Sequence, residues 1–237
     1  FADDVDGDGD MDVLSASYAD DKIAWYENDG SGGYTEHVIT TSADHAFSVF
    51  AADVDGDGDM DALSASELDD TVAWYENDGS ENFTKRLIDT SADGAYYAFA
   101  AHVDGDGHID VLAASRLDGT IAWHRNDGSG NFTKQLLDGN MAGARTVITA
   151  DIDGDGDQDA LATSVDYDTV AWYENDGNGN FVPWTVDGEL DGAYGISALD
   201  MDDDGDLDVL SASRDANAVA VHAQLKAHRA FVAKGGT

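Results

Sequence analysis

The phrase DVDGDGDMD, at Asp53 to Asp61, is one of five. Related nine-residue phrases begin at Asp4, His102, Asp151 and Asp200, so the start points 4, 53, 102, 151 and 200 are each 49 residues apart. A second phrase keeps the same step: AWYENDG from Ala24, Ala73 and Ala171, AWHRNDG from Ala122, and a decayed AVHAQLK from Ala220. A fixed period of about 20–50 residues marks a solenoid, a propeller or an array, in which each unit buries its apolar face against its neighbours. This period limits the chain to a string of five similar units.

Within one unit the pattern predicts strands. HAFSVFAADV, His45 to Val54, is apolar and suits a strand buried on both faces. DALSASE, Asp61 to Glu67, is a second short strand whose small residues allow close packing. TVAWYEN, Thr71 to Asn77, is β-branched and aromatic, and FTKRLID, Phe83 to Asp89, alternates as an outer strand does. Asp-Gly between these two is a hairpin signal. No helical period appears, and the one proline, Pro183, falls near the outer strand of the fourth copy. Only Phe1 and Ala2 precede the first acidic loop region, so the first copy lacks most of its first strand. Four short antiparallel strands per repeat describe a β-propeller blade. The expected fold is an all-β propeller of five four-stranded blades over 1–237, either closed or part of a larger ring.

The D-x-D-x-D-G-x-x-D loop between the first and second strands resembles the FG-GAP and VCBS repeats of integrin-like and lectin-like propellers. The Phe-Gly and Gly-Ala-Pro signatures of the integrin version are absent, so the VCBS-like branch fits better. The resemblance covers essentially the whole chain. It implies calcium loops at 4–12, 53–61, 102–110, 151–159 and 200–208. It says little about function, because one fold hosts many activities.

Calcium takes six to eight oxygens, and loops of this kind supply them from alternate positions. In the second loop Asp53, Asp55, Asp57 and Asp61 hold positions 1, 3, 5 and 9, and Asp59 at position 7 offers its carbonyl. The first loop has Asp4, Asp6, Asp8, Asp10 and Asp12. The fourth has Asp151, Asp153, Asp155, Asp157 and Asp159, and the fifth Asp200, Asp202, Asp204, Asp206 and Asp208. Magnesium is reluctant to occupy an all-protein cage. The third loop departs, with His102 at position 1 and His108 at position 7, leaving Asp104, Asp106 and Asp110. It is expected to be the weakest of up to five calcium sites, or a transition-metal site built with an imidazole.

Composition excludes some partners. The chain has 50 acidic and 11 basic residues, a net charge of −39, and so repels nucleic acid and anionic membranes. It has no cysteine, and no run of about 18 apolar residues that would span a bilayer. It opens at FADD without methionine, which suggests a processed or excised segment.

Trp25, Trp74, Trp123 and Trp172 share one position in the third strand and are expected between blades, with sugar stacking as the alternative. Asn82 and Asn131 each begin N-x-T and are candidate glycosylation sites or ordinary turn residues. The face opposite the acidic loops varies between copies. Phe47, Tyr96, Arg145 and Tyr194 are equivalent there, as are Tyr18, Glu67, Arg116, Val165 and Arg214. The resemblance implies that ligands sit on that face, so Phe47, Tyr96, Arg145, Tyr194 and Arg116 are the candidate ligand residues. No G-x-S-x-G, H-E-x-x-H or phosphate loop is present. The expectation is an extracellular or cell-surface calcium-stabilised module binding carbohydrate or protein. The alternatives are a building block of a self-assembling surface or filament and, less favoured, a polysaccharide-acting enzyme.

Overall fold

Five four-stranded antiparallel sheets follow one another along the chain in the computed structural model, which describes residues 1–225 and 230–234. Residues 226–229 and 235–237, at the end of the expected domain, lie outside the described residues. Among the described residues there is no helix. In sheet two the strands are Ala46–Ala52, Asp61–Ser66, Thr71–Asn77 and Phe83–Asp89, hydrogen-bonded in chain order. The inner strand starts at Ala46 because His45 has φ 54°, in the left-handed region where strand pairing stops. It ends at Ala52 because the next buried amide, Val54 N, donates to the Asp61 carboxylate instead of to a neighbouring strand. The inner strand of sheet one is only Ala2–Asp3. Pro183 sits in the edge strand Phe181–Asp187, where a missing N–H does no harm.

The second strand of sheet two, DALSAS, is buried at every position, as are DVLAAS (Asp110–Ser115) and DALATS (Asp159–Ser164). Burial on both faces requires a neighbour on each side, and alanine and serine let that neighbour approach closely. Four apolar cores result, each formed between two successive sheets. The tryptophans Trp25, Trp74, Trp123 and Trp172 all lie in these cores.

No apolar cluster joins sheet five back to sheet one among the described residues. Val13 in sheet one is 40% exposed, whereas its equivalents Val111 and Val209 are fully buried. Val219 in sheet five is 63% exposed, whereas Val72, Ile121 and Val170 are fully buried. Among the described residues the outer faces of the first and fifth sheets are therefore uncovered at Val13 and Val219, and the five sheets do not close on one another.

Candidate metal centre

Backbone amides organise each acidic loop. In the second loop the two oxygens of Asp53 accept the N–H groups of Gly56 at 2.8 Å and Gly58 at 3.1 Å. Asp55 accepts from Asp57 N, and Asp57 from Asp59 N at 3.0 Å. These bonds need a tight coil, and Gly58 has φ 99°, a conformation that L residues rarely adopt. The first loop repeats the pattern through Asp4, which accepts from Gly7 and Gly9. Asp151 accepts from Gly156, and Asp200 from Asp204 and Gly205.

The outcome is convergence. Carboxylate oxygens of Asp53, Asp55 and Asp57 lie within 4.8 Å of one another. So do those of Asp4, Asp6 and Asp8, of Asp151, Asp153 and Asp155, and of Asp200, Asp202 and Asp204. Oxygens on opposite sides of a calcium ion bound at about 2.3–2.6 Å would lie about 5 Å apart. These four loops therefore fit such an ion, and carboxylate is the oxygen donor that a hard cation prefers. Burial, and then the neighbouring charge of Asp57, push the Asp55 carboxyl above the usual range. A cation at the centre would relieve that repulsion.

The ninth position lies beneath the cluster. Asp61 is buried and accepts Val54 N at 2.9 Å and Asn77 N at 2.8 Å, so it ties the loop to the third strand. Asp12, Asp110, Asp159 and Asp208 make the equivalent pairs of bonds. Burial raises Asp61 to about 7 and Asp110 and Asp159 to about 6. The side chains at position 7 pack over the next hairpin. A Cβ on Gly79 would run into the Asp59 carboxylate, and one on Gly30 or Gly177 would meet Asp10 or Asp157. Asp206 is the position-7 residue of the fifth loop, and its amide donates to Asp204 at 3.0 Å.

The third loop does not fit the ion. His102 Nδ1 donates to the carbonyl of His108 at 2.9 Å, the carbonyl that position 7 offers elsewhere. Arg125 Nε lies 2.5 Å from Asp104 Oδ2, and its Nη2 lies 3.2 Å from Asp106 Oδ2. The third site, expected to be the weakest, therefore has its oxygens engaged by Arg125 and His102, and a transition-metal set is not gathered, because the imidazole faces a carbonyl. Arg125 is the residue of this loop's surroundings that the loop motif alone does not disclose. The signal was in AWHRNDG, where arginine replaces the glutamate found at Glu27, Glu76 and Glu174, in the same copy that exchanges aspartate for histidine.

On the opposite face the equivalent residues converge. Tyr18 lies 4.9 Å from Phe47, and Phe47 stacks on Tyr96 at 4.1 Å, centroid to centroid. The Arg145 guanidinium sits 4.3 Å over Tyr96 and 5.4 Å from Tyr194, and the two tyrosine hydroxyls are hydrogen-bonded. Tyr96 and Arg145 are buried by this packing, and Phe47 and Tyr194 are half-buried. Arg116 pairs with the buried Glu67 at 2.6 Å. Much of the candidate ligand face is thus engaged with itself. A smaller group, Asp21, Asp44 and His45, also converges on this side.

Asn82 and Asn131 are exposed, and their amides clamp Asp78 and Asp127 at about the same place in each hairpin. Asn180 makes the same bond to Asp176 at 2.9 Å although it begins no N-x-T. The clamp therefore accounts for the asparagine independently of any glycan.

A model of the FG-GAP-like repeat matches residues 4–64, 102–162 and 160–211. No curated protein matches in sequence. Among solved structures, an Agrocybe aegerita lectin described as recognising non-reducing terminal N-acetylglucosamine is 18% identical, with a TM-score of 0.68 over 99% of this chain and 64% of its own. The periplasmic gluconolactonase of Pseudomonas aeruginosa is 14% identical, with a TM-score of 0.68 over 95% of this chain and 66% of its own. A biofilm matrix protein of V. cholerae is 22% identical, with a TM-score of 0.56 over 93% of this chain and 36% of its own. The chain thus spans just under two thirds of the length of the first two of these structures.

Proposed function

The chain belongs to the family of FG-GAP-like repeats, and on that premise we propose that it is a calcium-stabilised β-propeller module that binds carbohydrate at or beyond the cell surface. Each four-stranded sheet is a blade in this reading. The five blades form part of a ring larger than five, which accords with the uncovered faces at Val13 and Val219. Calcium would be held by the carboxylates at positions 1, 3 and 5 of the first, second, fourth and fifth loops. There it supplies a counter-charge that fixes the turn between the first and second strands. The loop carboxylates serve the ion rather than acid–base chemistry, so the module binds rather than catalyses.

The observation that carries the metal part is the convergence of three carboxylates in each of four loops. The carbohydrate part is supported by the likeness to a lectin along 99% of the chain. A glycan array probed with the protein in millimolar calcium tests it. Binding to terminal N-acetylglucosamine or another sugar is expected, and its loss in EDTA ties it to the ion.

A second reading is a building block of an extracellular matrix. The likeness to a biofilm matrix protein and the two uncovered apolar sheet faces favour it. Silence on the array together with concentration-dependent association in sedimentation velocity would select this reading.

A further inference from the structure

We propose that Arg125 is the resident cation of the third loop, its guanidinium taking the place that calcium holds in the other four, so that this loop closes with no ion. The inference rests on the calcium reading for what fills the other loops, but the contacts of Arg125 stand by themselves. Three kinds of ligand atom that a calcium loop offers are each met here by a nitrogen of Arg125 or His102, one as an ion pair and two as hydrogen bonds. Asp104, at position 3, is ion-paired with Arg125, whose Nε lies 2.5 Å from its Oδ2. Asp106, at position 5, receives Arg125 Nη2 at 3.2 Å. The position-7 carbonyl, of His108, receives His102 Nδ1 at 2.9 Å.

The two substitutions are complementary. Position 1 in the other loops is a carboxylate whose oxygens organise the glycine amides. Losing it as His102 removes one negative charge from the cluster. Exchanging the strand glutamate for Arg125 removes another and adds a positive one. A planar guanidinium presents its donors as a fork matched to carboxylates, so one side chain bridges two aspartates as an ion would. The turn bonds that remain, Asp106 N to Asp104 at 3.1 Å and His108 N to Asp106 at 3.0 Å, match those at Asp57 and Asp59. The coil is the same, and only the cation at its centre differs.

The test is a calcium titration of the full chain followed by amide NMR, beginning in EDTA. Gly56 and Gly58 are expected to shift as calcium reaches about millimolar, while Gly105 and Gly107 stay in place. In the double variant His102→Asp with Arg125→Glu, Gly105 and Gly107 should shift as well. Movement of Gly105 and Gly107 in the wild type, or none in the folded double variant, overturns the proposal. If Gly56 and Gly58 also stay still, the calcium reading of the other loops fails, and hydrogen exchange decides for Arg125. In EDTA the amides of Asp106 and His108 should be protected in the wild type and lose that protection in Arg125→Gln. Equal exchange in the two proteins overturns the proposal even if the double variant does not fold.

Discussion

Asp89, the last residue of the outer strand of sheet two, accepts a hydrogen bond from Nε2 of His124 in the third strand of sheet three at 3.0 Å. Both are buried, and Lys134 Nζ reaches the same carboxylate at 2.8 Å. The relationship recurs one sheet on, where Asp138 accepts from the Tyr173 hydroxyl at 2.9 Å, and again at Asp187 and His222, 3.7 Å apart. A polar latch at the rim thus joins each of these sheets to the next, outside the apolar core between them.

The latch makes stability depend on pH. Although burial alone would raise it, hydrogen bonds from His124, Lys134 and Ser91 hold the Asp89 carboxyl well below the usual carboxylate range. A depressed folded-state value means stability that is present above the ordinary value of about 4 and is lost as pH falls below it. Asp89→Asn should cost about 1.5–3 kcal/mol at neutral pH, the usual worth of a hydrogen bond to a charged group. Urea denaturation at pH 7 and pH 3 measures the gap between variant and wild type. The gap should narrow at pH 3; a constant gap would mean that the charge on Asp89 contributes nothing.

Calcium should raise the melting temperature. Ion binding stabilises by about 2.7 kcal/mol per site at a hundredfold excess over Kd. For a domain of this size that is about 5–10 °C for each filled loop. Scanning calorimetry in EDTA and in millimolar calcium reads the difference directly. Asp53→Asn should remove part of the rise and raise the EDTA value slightly, because without an ion the substitution takes one charge out of a cluster of converging carboxylates. Identical melting with and without calcium would sink the metal reading.

Much of this architecture could be read from the chain before folding. The 49-residue step, the β-branched and aromatic run Thr71–Asn77 and the alternating run Phe83–Asp89 foretold these strands to the residue. Local spacing also foretold the convergence at Asp53, Asp55 and Asp57, because a loop motif carries its own geometry. What escaped was contact between sheets. Asp89 and His124 lie 35 residues apart, and Tyr96 and Tyr194 lie 98 apart. Those distances close only through the way sheets stack and curve, which no period within one repeat encodes. Arg125 escaped for a related reason: it reaches Asp106 from 19 residues away, across a strand and a turn.

The fifth loop carries a backbone cost that a substitution can remove. Asp203 replaces the glycine found at Gly7, Gly56, Gly105 and Gly154, and it has φ 60°. A left-handed conformation is unfavourable for a residue with a Cβ, though less so for aspartate than for most. Asp203→Gly should therefore stabilise by about 0.5 kcal/mol, the relief of strain exceeding the added freedom of glycine in the unfolded chain. It also removes one negative charge from a crowded loop. The effect should be largest in EDTA and is read by denaturant midpoint. A lower midpoint would show that the Asp203 side chain holds the turn.

On the face opposite the loops, binding and packing fall to different side chains. Tyr96 and Arg145 are each 7% exposed and lie against one another, so truncating either opens a cavity or leaves a buried charge. Tyr96→Ala should cost about 3 kcal/mol or more, as large-to-small changes of buried aromatic residues do. Loss of sugar binding in that variant would therefore say little about contact with a ligand. Tyr18 is different. It is 46% exposed, rests on His45 at 4.0 Å and leads into the stack through Phe47. An exposed aromatic ring can stack on a sugar face at little cost to the fold. Tyr18→Ala is expected to leave the melting temperature within about 2 °C and to weaken sugar binding about tenfold, the loss of roughly 1.4 kcal/mol. Both are measured on the same preparation, by calorimetry and by titration with the best glycan from the array. Unchanged affinity would move the ligand site away from this end of the sheets, towards the hairpins that carry Asp78 and Asp127.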